Sequence, residues 1–144
     1  MVGEQTHNSD ALAWAKQELD GTVQTISDRG IIESPILESR LVWNKPFEVV
    51  IGQLRDHRNQ TEFLWVIGGS MPIDCIHSAV APSARDAARH FSLKWQLEAA
   101  KLEDESERKR LGLNPAIDWR AQAKTLVMKA QYLYSIAEDD RHWS

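Results

Sequence analysis

Ser83-Ala-Arg-Asp-Ala-Ala-Arg-His-Phe-Ser-Leu-Lys-Trp-Gln-Leu-Glu-Ala-Ala-Lys-Leu102 carries the strongest helix signal in the chain. Ser83 with Asp86 three residues on is a variant of the capping box, and Pro82 just ahead disfavours helix before it. Ala84, Ala88, Phe91, Trp95, Ala99 and Leu102 keep the three-and-four rhythm of one apolar helix face. Leu93, Leu97 and Ala100 fall on roughly the opposite side, at about 100° per residue. A helix apolar on two sides is expected to be covered on two sides, which makes it the centre of the fold.

Downstream of this helix, Glu103-Asp104-Glu105-Ser106-Glu107 is followed by Arg108-Lys109-Arg110. On a helix these blocks stand one turn apart, so the stretch reads as a solvated helical end. Gly112 closes it, and Asn114-Pro115 opens another helix, with Asn as cap and Pro in the first turn. Trp119, Ala123, Leu126, Ala130, Leu133 and Ala137 then form an apolar seam, facing either the central helix or a second subunit. An intramolecular fit, and hence a monomer, is the expectation, with a homodimer as the alternative.

Upstream lies β-like sequence. Phe47 to Leu54 and Thr61 to Ile67 alternate or are apolar throughout, and the polar loop Asp56-His57-Arg58-Asn59-Gln60 joins them as a hairpin. Gly68-Gly69-Ser70 is expected to break the second strand. Arg40 to Trp43 is a short strand ended by Asn44-Lys45-Pro46, and residues 73–80 fit either a strand or an extended loop. Before the sheet, Leu12, Ala15, Leu19, Val23 and Ile26 make the stripe of a first helix, capped at Ser9 or Asp10 and running to about Arg29. Gly21 lies inside it at a cost of about 1 kcal/mol relative to Ala, so a bend or break is expected there. Gly30 followed by Ile31 reads as its C-terminal stop, with Ile31 packing back on the last turn.

The 144 residues, 42% hydrophobic and 26% charged, fit one globular domain. Residues 1–8 read as a flexible polar arm and residues 9–144 as a single α+β domain: an N-terminal helix, an antiparallel sheet of three to four strands, and two long helices packed on it. A net charge of −4 disfavours nucleic acid as a partner. No run approaches the roughly 18 apolar residues of a membrane span, and residues 1–10 lack the apolar core of a signal peptide. Cys75 is the only cysteine and cannot form an internal disulfide, so a cytoplasmic location is expected. Six tryptophans are spread over every element. Most serve as core filler, and Trp143 is the exception marked out as a partner anchor.

Candidate chemistry is sparse. Asp74-Cys75-Ile76-His77 brings a carboxylate, a thiol and an imidazole together, but paired metal-ligand spacings are missing, so no metal is expected. Cys75 is a candidate nucleophile, weighed against its ordinary role as a small buried hydrophobe. Asp86 and His90, one helical turn apart, suit an oriented acid–base pair and equally a helical ion pair. Gly68-Gly69-Ser70 is not a phosphate loop, since Pro72 intervenes before any helix, and no cofactor is expected. Arg85 and Arg89 near a helix N-terminus oppose the macrodipole and need compensation from Asp86, Asp74, a glutamate of the first helix or an outside anion. Asp74, Arg85, Arg89, His90 and Trp143 are therefore the candidate partner-binding residues.

Leu64-Trp65-Val66-Ile67-Gly68-Gly69-Ser70-Met71-Pro72-Ile73-Asp74, followed by Ala84-Arg85-Asp86-Ala87-Ala88-Arg89-His90-Phe91-Ser92-Leu93-Lys94-Trp95-Gln96-Leu97, resembles a family of small proteobacterial proteins of about this length, classed as a domain of unknown function. The resemblance covers most of the chain and is densest over residues 64–102. It implies a bacterial, cytoplasmic, single-domain protein and no activity to carry over. The function expected is a non-enzymatic protein-binding module: an adaptor, a regulator or a toxin-neutralising immunity-type protein. The alternative is a small-molecule-binding protein or hydrolase using His90 with Asp86 and Cys75.

Overall fold

Alternation in the middle of the chain builds a four-stranded antiparallel meander, flanked by one helix before it and two after. The computed structural model describes residues 2–110 and 119–143. In order these are α1 (Val2–Asp28), β1 (Ile36–Lys45), β2 (Val49–Asp56), β3 (Leu64–Gly69), β4 (Asp74–His77), a 3-10 turn (Ser78–Val80), α2 (Ala84–Arg110), α3 (Trp119–Glu138) and a second 3-10 turn (Asp140–His142). The α+β order is the one the sequence implies. Backbone contacts divide the chain into two compact units, residues 1–87 and 88–144.

In the first unit the strands follow chain order, β1-β2-β3-β4. The hairpin register sets Val49 opposite Gly69, Ile51 opposite Ile67 and Leu54 opposite Leu64. Leu54 and Val66 pack with Leu19, Ile26 and Ile32 in one buried cluster, so α1 lies on this side of the sheet. Close approach decides two glycines. A Cβ on Gly68 would stand 2.0 Å from Thr22 Oγ1, and one on Gly52 would stand 2.6 Å from Leu19 Cδ1. Gly68 and Gly69 therefore continue β3 rather than break it: Gly68 leaves room for Thr22 of α1, and Gly69, at φ of 82°, for the Glu48 backbone.

Several boundaries differ from the sequence reading. α1 begins at Val2, ahead of the Ser9 or Asp10 cap, and runs through Gly21 without interruption. Polar residues such as Glu4 and Gln5 are adequate helix formers once a helix is nucleated, even without an apolar stripe. Gly30 has φ of 68° and the Ile31 N–H reaches the Ile26 carbonyl at 3.1 Å, the expected C-terminal motif. Its apolar contact, however, is supplied by buried Ile32, while Ile31 is exposed, as is Leu12. Phe47 is not in β2. It has φ of 63° in the β1–β2 turn, its ring 5.5 Å from that of Trp14. β1 is longer than expected, β3 starts at Leu64 rather than Thr61, and residues 74–77 are a strand.

In the second unit the expected seam of α3 is largely buried through Ala123, Ala130, Leu133 and Ala137, with Ile136 beside it. On α2, Ala88, Phe91, Trp95 and Ala99 are buried, and the Phe91 and Trp95 rings lie 5.9 Å apart. Ser92, fully buried, donates its hydroxyl to the Ala130 carbonyl at 2.8 Å and ties the two helices together. The opposite stripe of α2 corrects the sequence reading. Leu93 is 55% exposed, Leu97 is 58% exposed, and Ala100 is exposed too, so α2 is covered on one side only. The expected cap at Asn114-Pro115 and the stop at Gly112 lie outside the described residues.

Candidate functional site

The start of α2 is organised by its cap. The Ser83 hydroxyl accepts from the Asp86 backbone N–H at 3.1 Å and donates to the Asp86 carboxylate at 2.9 Å. Asp86 is thereby part of the capping box, a structural task, while Arg85 and His90 are half-buried in the first two turns. Arg89 finds its counter-charge on α3. Its Nε lies 2.7 Å from a carboxylate oxygen of Glu138, and the two side chains are 38% and 43% exposed. Glu138 was absent from the compensators the sequence suggests, because the pairing spans 49 positions and depends on how the two helices meet.

Strand geometry sets Asp74 apart from Cys75 and His77. Neighbouring strand residues point to opposite faces. Cys75 pairs with Val66 and packs on the apolar cluster under α1, whereas Asp74 pairs with Ile67 on the other face. The Asp74 carboxylate accepts from the Cys75 backbone N–H at 2.8 Å. His77 has both ring nitrogens engaged. Nδ1 accepts from the Ala79 N–H at 3.1 Å, and Nε2 lies 2.8 Å from Glu62. The imidazole is thereby spent on capping the 3-10 turn. Among the described residues no three His, Cys, Asp or Glu side chains form a group that could hold a metal ion.

Trp143 is folded back rather than projecting. Its indole N–H donates to the Ile136 carbonyl at 3.0 Å, and the ring is half-buried. Ahead of it Asp139 accepts from the side chain and backbone N–H of Arg141. The Arg141 hydrogen bonds hold the Asp139 carboxyl well below the usual carboxylate range, and the same contact raises Arg141. Both groups are on the surface, so this arrangement shapes the last turn and contributes little to overall stability.

The feature that remains is the outer face of the α2–α3 pair. Arg89 meets Glu138 at one end, and a groove of about 690 Å³ lies toward the other, so the helices run antiparallel. The groove is lined by the apolar Ala100, Val127 and Met128, by the acidic Glu103 and Asp104 of α2, and by the basic Arg120 and Lys124 of α3. Met128, 60% exposed, continues to Tyr132 one turn on, which lines the adjoining depression. On α2 the apolar row continues to Leu97 and Leu93, each four residues from the next. The signal was present in the sequence as the second stripe of α2. Met128 and Tyr132 stand off the α3 seam, where the apolar rhythm gave them no prominence.

The chain belongs to the family described as a domain of unknown function (DUF4826), whose model matches residues 8–143. No curated protein and no solved structure matches it. The DUF4826 match takes in the sheet, the capped start of α2 and the residues lining the groove. No helix among the described residues is long and apolar enough to cross a membrane.

Proposed function

We propose that this chain is a non-enzymatic protein-binding module, of the adaptor, regulator or toxin-neutralising kind, working in a bacterial cytoplasm and docking its protein partner on the outer face of α2 and α3. The observation that carries this reading is the exposure of Leu93 and Leu97 on α2 and of Met128 on α3, each more than half exposed, with Met128 sharing its groove with charged side chains of both helices. Apolar side chains in a contiguous strip with a polar rim have the make-up of a protein interface. Nothing comparable supports the hydrolase alternative. Of its three residues, Cys75 packs with the apolar cluster under α1, Asp86 serves the cap of α2, and His90 is half-buried on the second turn of that helix.

A photo-reactive amino acid in place of Leu97, irradiated in the source cells, tests this reading. A discrete covalent adduct with a protein is the expected result. A chain that forms no adduct at position 97, while still folded by circular dichroism, would overturn it.

A further inference from the structure

Resting on that reading, we infer that the protein docked on this face is a second copy of the same chain, held in a two-fold dimer. Glu103 and Asp104 on α2 and Arg120 and Lys124 on α3 line one groove, so acid and base stand at the same level along an antiparallel pair. A two-fold axis running along the groove turns a second copy over without shifting it lengthwise. Its α3 then lies across the first copy's α2, and its α2 across the first copy's α3. Glu103 of each copy then meets Lys124 of the other, twice over, and Leu97 meets the Met128 region of the other copy. The patch is its own complement, as a closed two-fold interface requires.

A second copy on this face buries Leu93 and Leu97, which the chain itself leaves bare. Opposed charges at the rim set the register more than they add affinity.

The test is light scattering on the purified full chain through the micromolar range, with two charge reversals as probes. The parent is expected at about twice the 16.4 kDa of one chain. Glu103→Lys and Lys124→Glu, each alone, place like charges together on both sides of the axis and are expected to run as monomers. An equimolar mixture of the two restores opposite charges at both contacts and is expected to run as a dimer. Both positions are exposed, so folding is not at stake, and circular dichroism checks it. A parent that stays monomeric overturns the inference. So does a dimer that survives both single reversals, or a mixture that stays monomeric. None of these results touches the broader reading if position 97 still cross-links to a different protein in cells.

Discussion

The two faces of α2 are written in the same alphabet and meet opposite fates. Phe91, Trp95 and Ala99 are at most 1% exposed, while Leu93 and Leu97 on the other side are more than half exposed. Helical periodicity reports that a face is apolar, and it cannot report whether the chain has enough further structure to cover it. Burial by the same chain leaves close-packed neighbours and no room. A bare apolar face leaves room, and its energy is realised only when something arrives.

Breaking the covered face should cost most. Trp95→Ala removes a large buried ring and is expected to destabilise by about 3–5 kcal/mol, read by urea or thermal unfolding. A variant that melts within a few degrees of the parent would put Trp95 at the periphery and erase the contrast. Close packing elsewhere gives the next effect. Gly68→Ala drives a methyl into Thr22 and is expected to cost about 1–3 kcal/mol, with part of the loss recovered when Thr22→Ala is added. Additive losses in that double variant would mean that the two sites do not meet.

Smaller effects come from groups that serve both faces of the helix alike. Ser83→Ala deletes the cap of α2 and should cost about 0.5–2 kcal/mol, with Ser83→Asp close to neutral. Arg89→Ala breaks a pair that is well over a third exposed on both sides, so a loss of at most about 1 kcal/mol is expected. Glu138→Ala should lose the same amount, and the double variant no more than either single. A cycle with additive losses would show that Arg89 takes its counter-charge from somewhere other than Glu138.

Legibility followed the range of the forces involved. The capping box at Ser83, the Gly30 stop, the β2–β3 hairpin and the α3 seam were all readable, because each depends on residues within a few positions of one another. Gly68 and Gly69 were misread as a strand break, since their small size answers to Thr22 on α1 and to the Glu48 backbone, which local sequence does not show. Phe47 fits strand alternation, yet the β1–β2 turn takes it into the left-handed region. Arg89 was marked as needing compensation, and its partner 49 residues away was not found. Of the polar residues the sequence marks, Asp86 serves the cap of α2 and Asp74 accepts from the Cys75 backbone N–H, while Arg85 and His90 are half-buried in the first two turns of α2. Trp143, marked as an anchor, closes the end of α3 through its indole N–H. The second stripe of α2 is legible as apolar but not as bare, because apolar pattern alone carries no information about what covers it.

Melting temperature measured against protein concentration, for the parent and for Leu97→Ser, bears most directly on the claim that the outer face of α2 and α3 belongs to a second copy. Folding linked to self-association makes the midpoint rise with concentration. For the parent, the midpoint should climb steadily from low to high micromolar. Leu97→Ser, altered at a position the chain itself does not bury, should give a flat line that meets the parent's at high dilution, within about 0.5 kcal/mol in stability. Two flat lines, or two lines of equal slope, would contradict it.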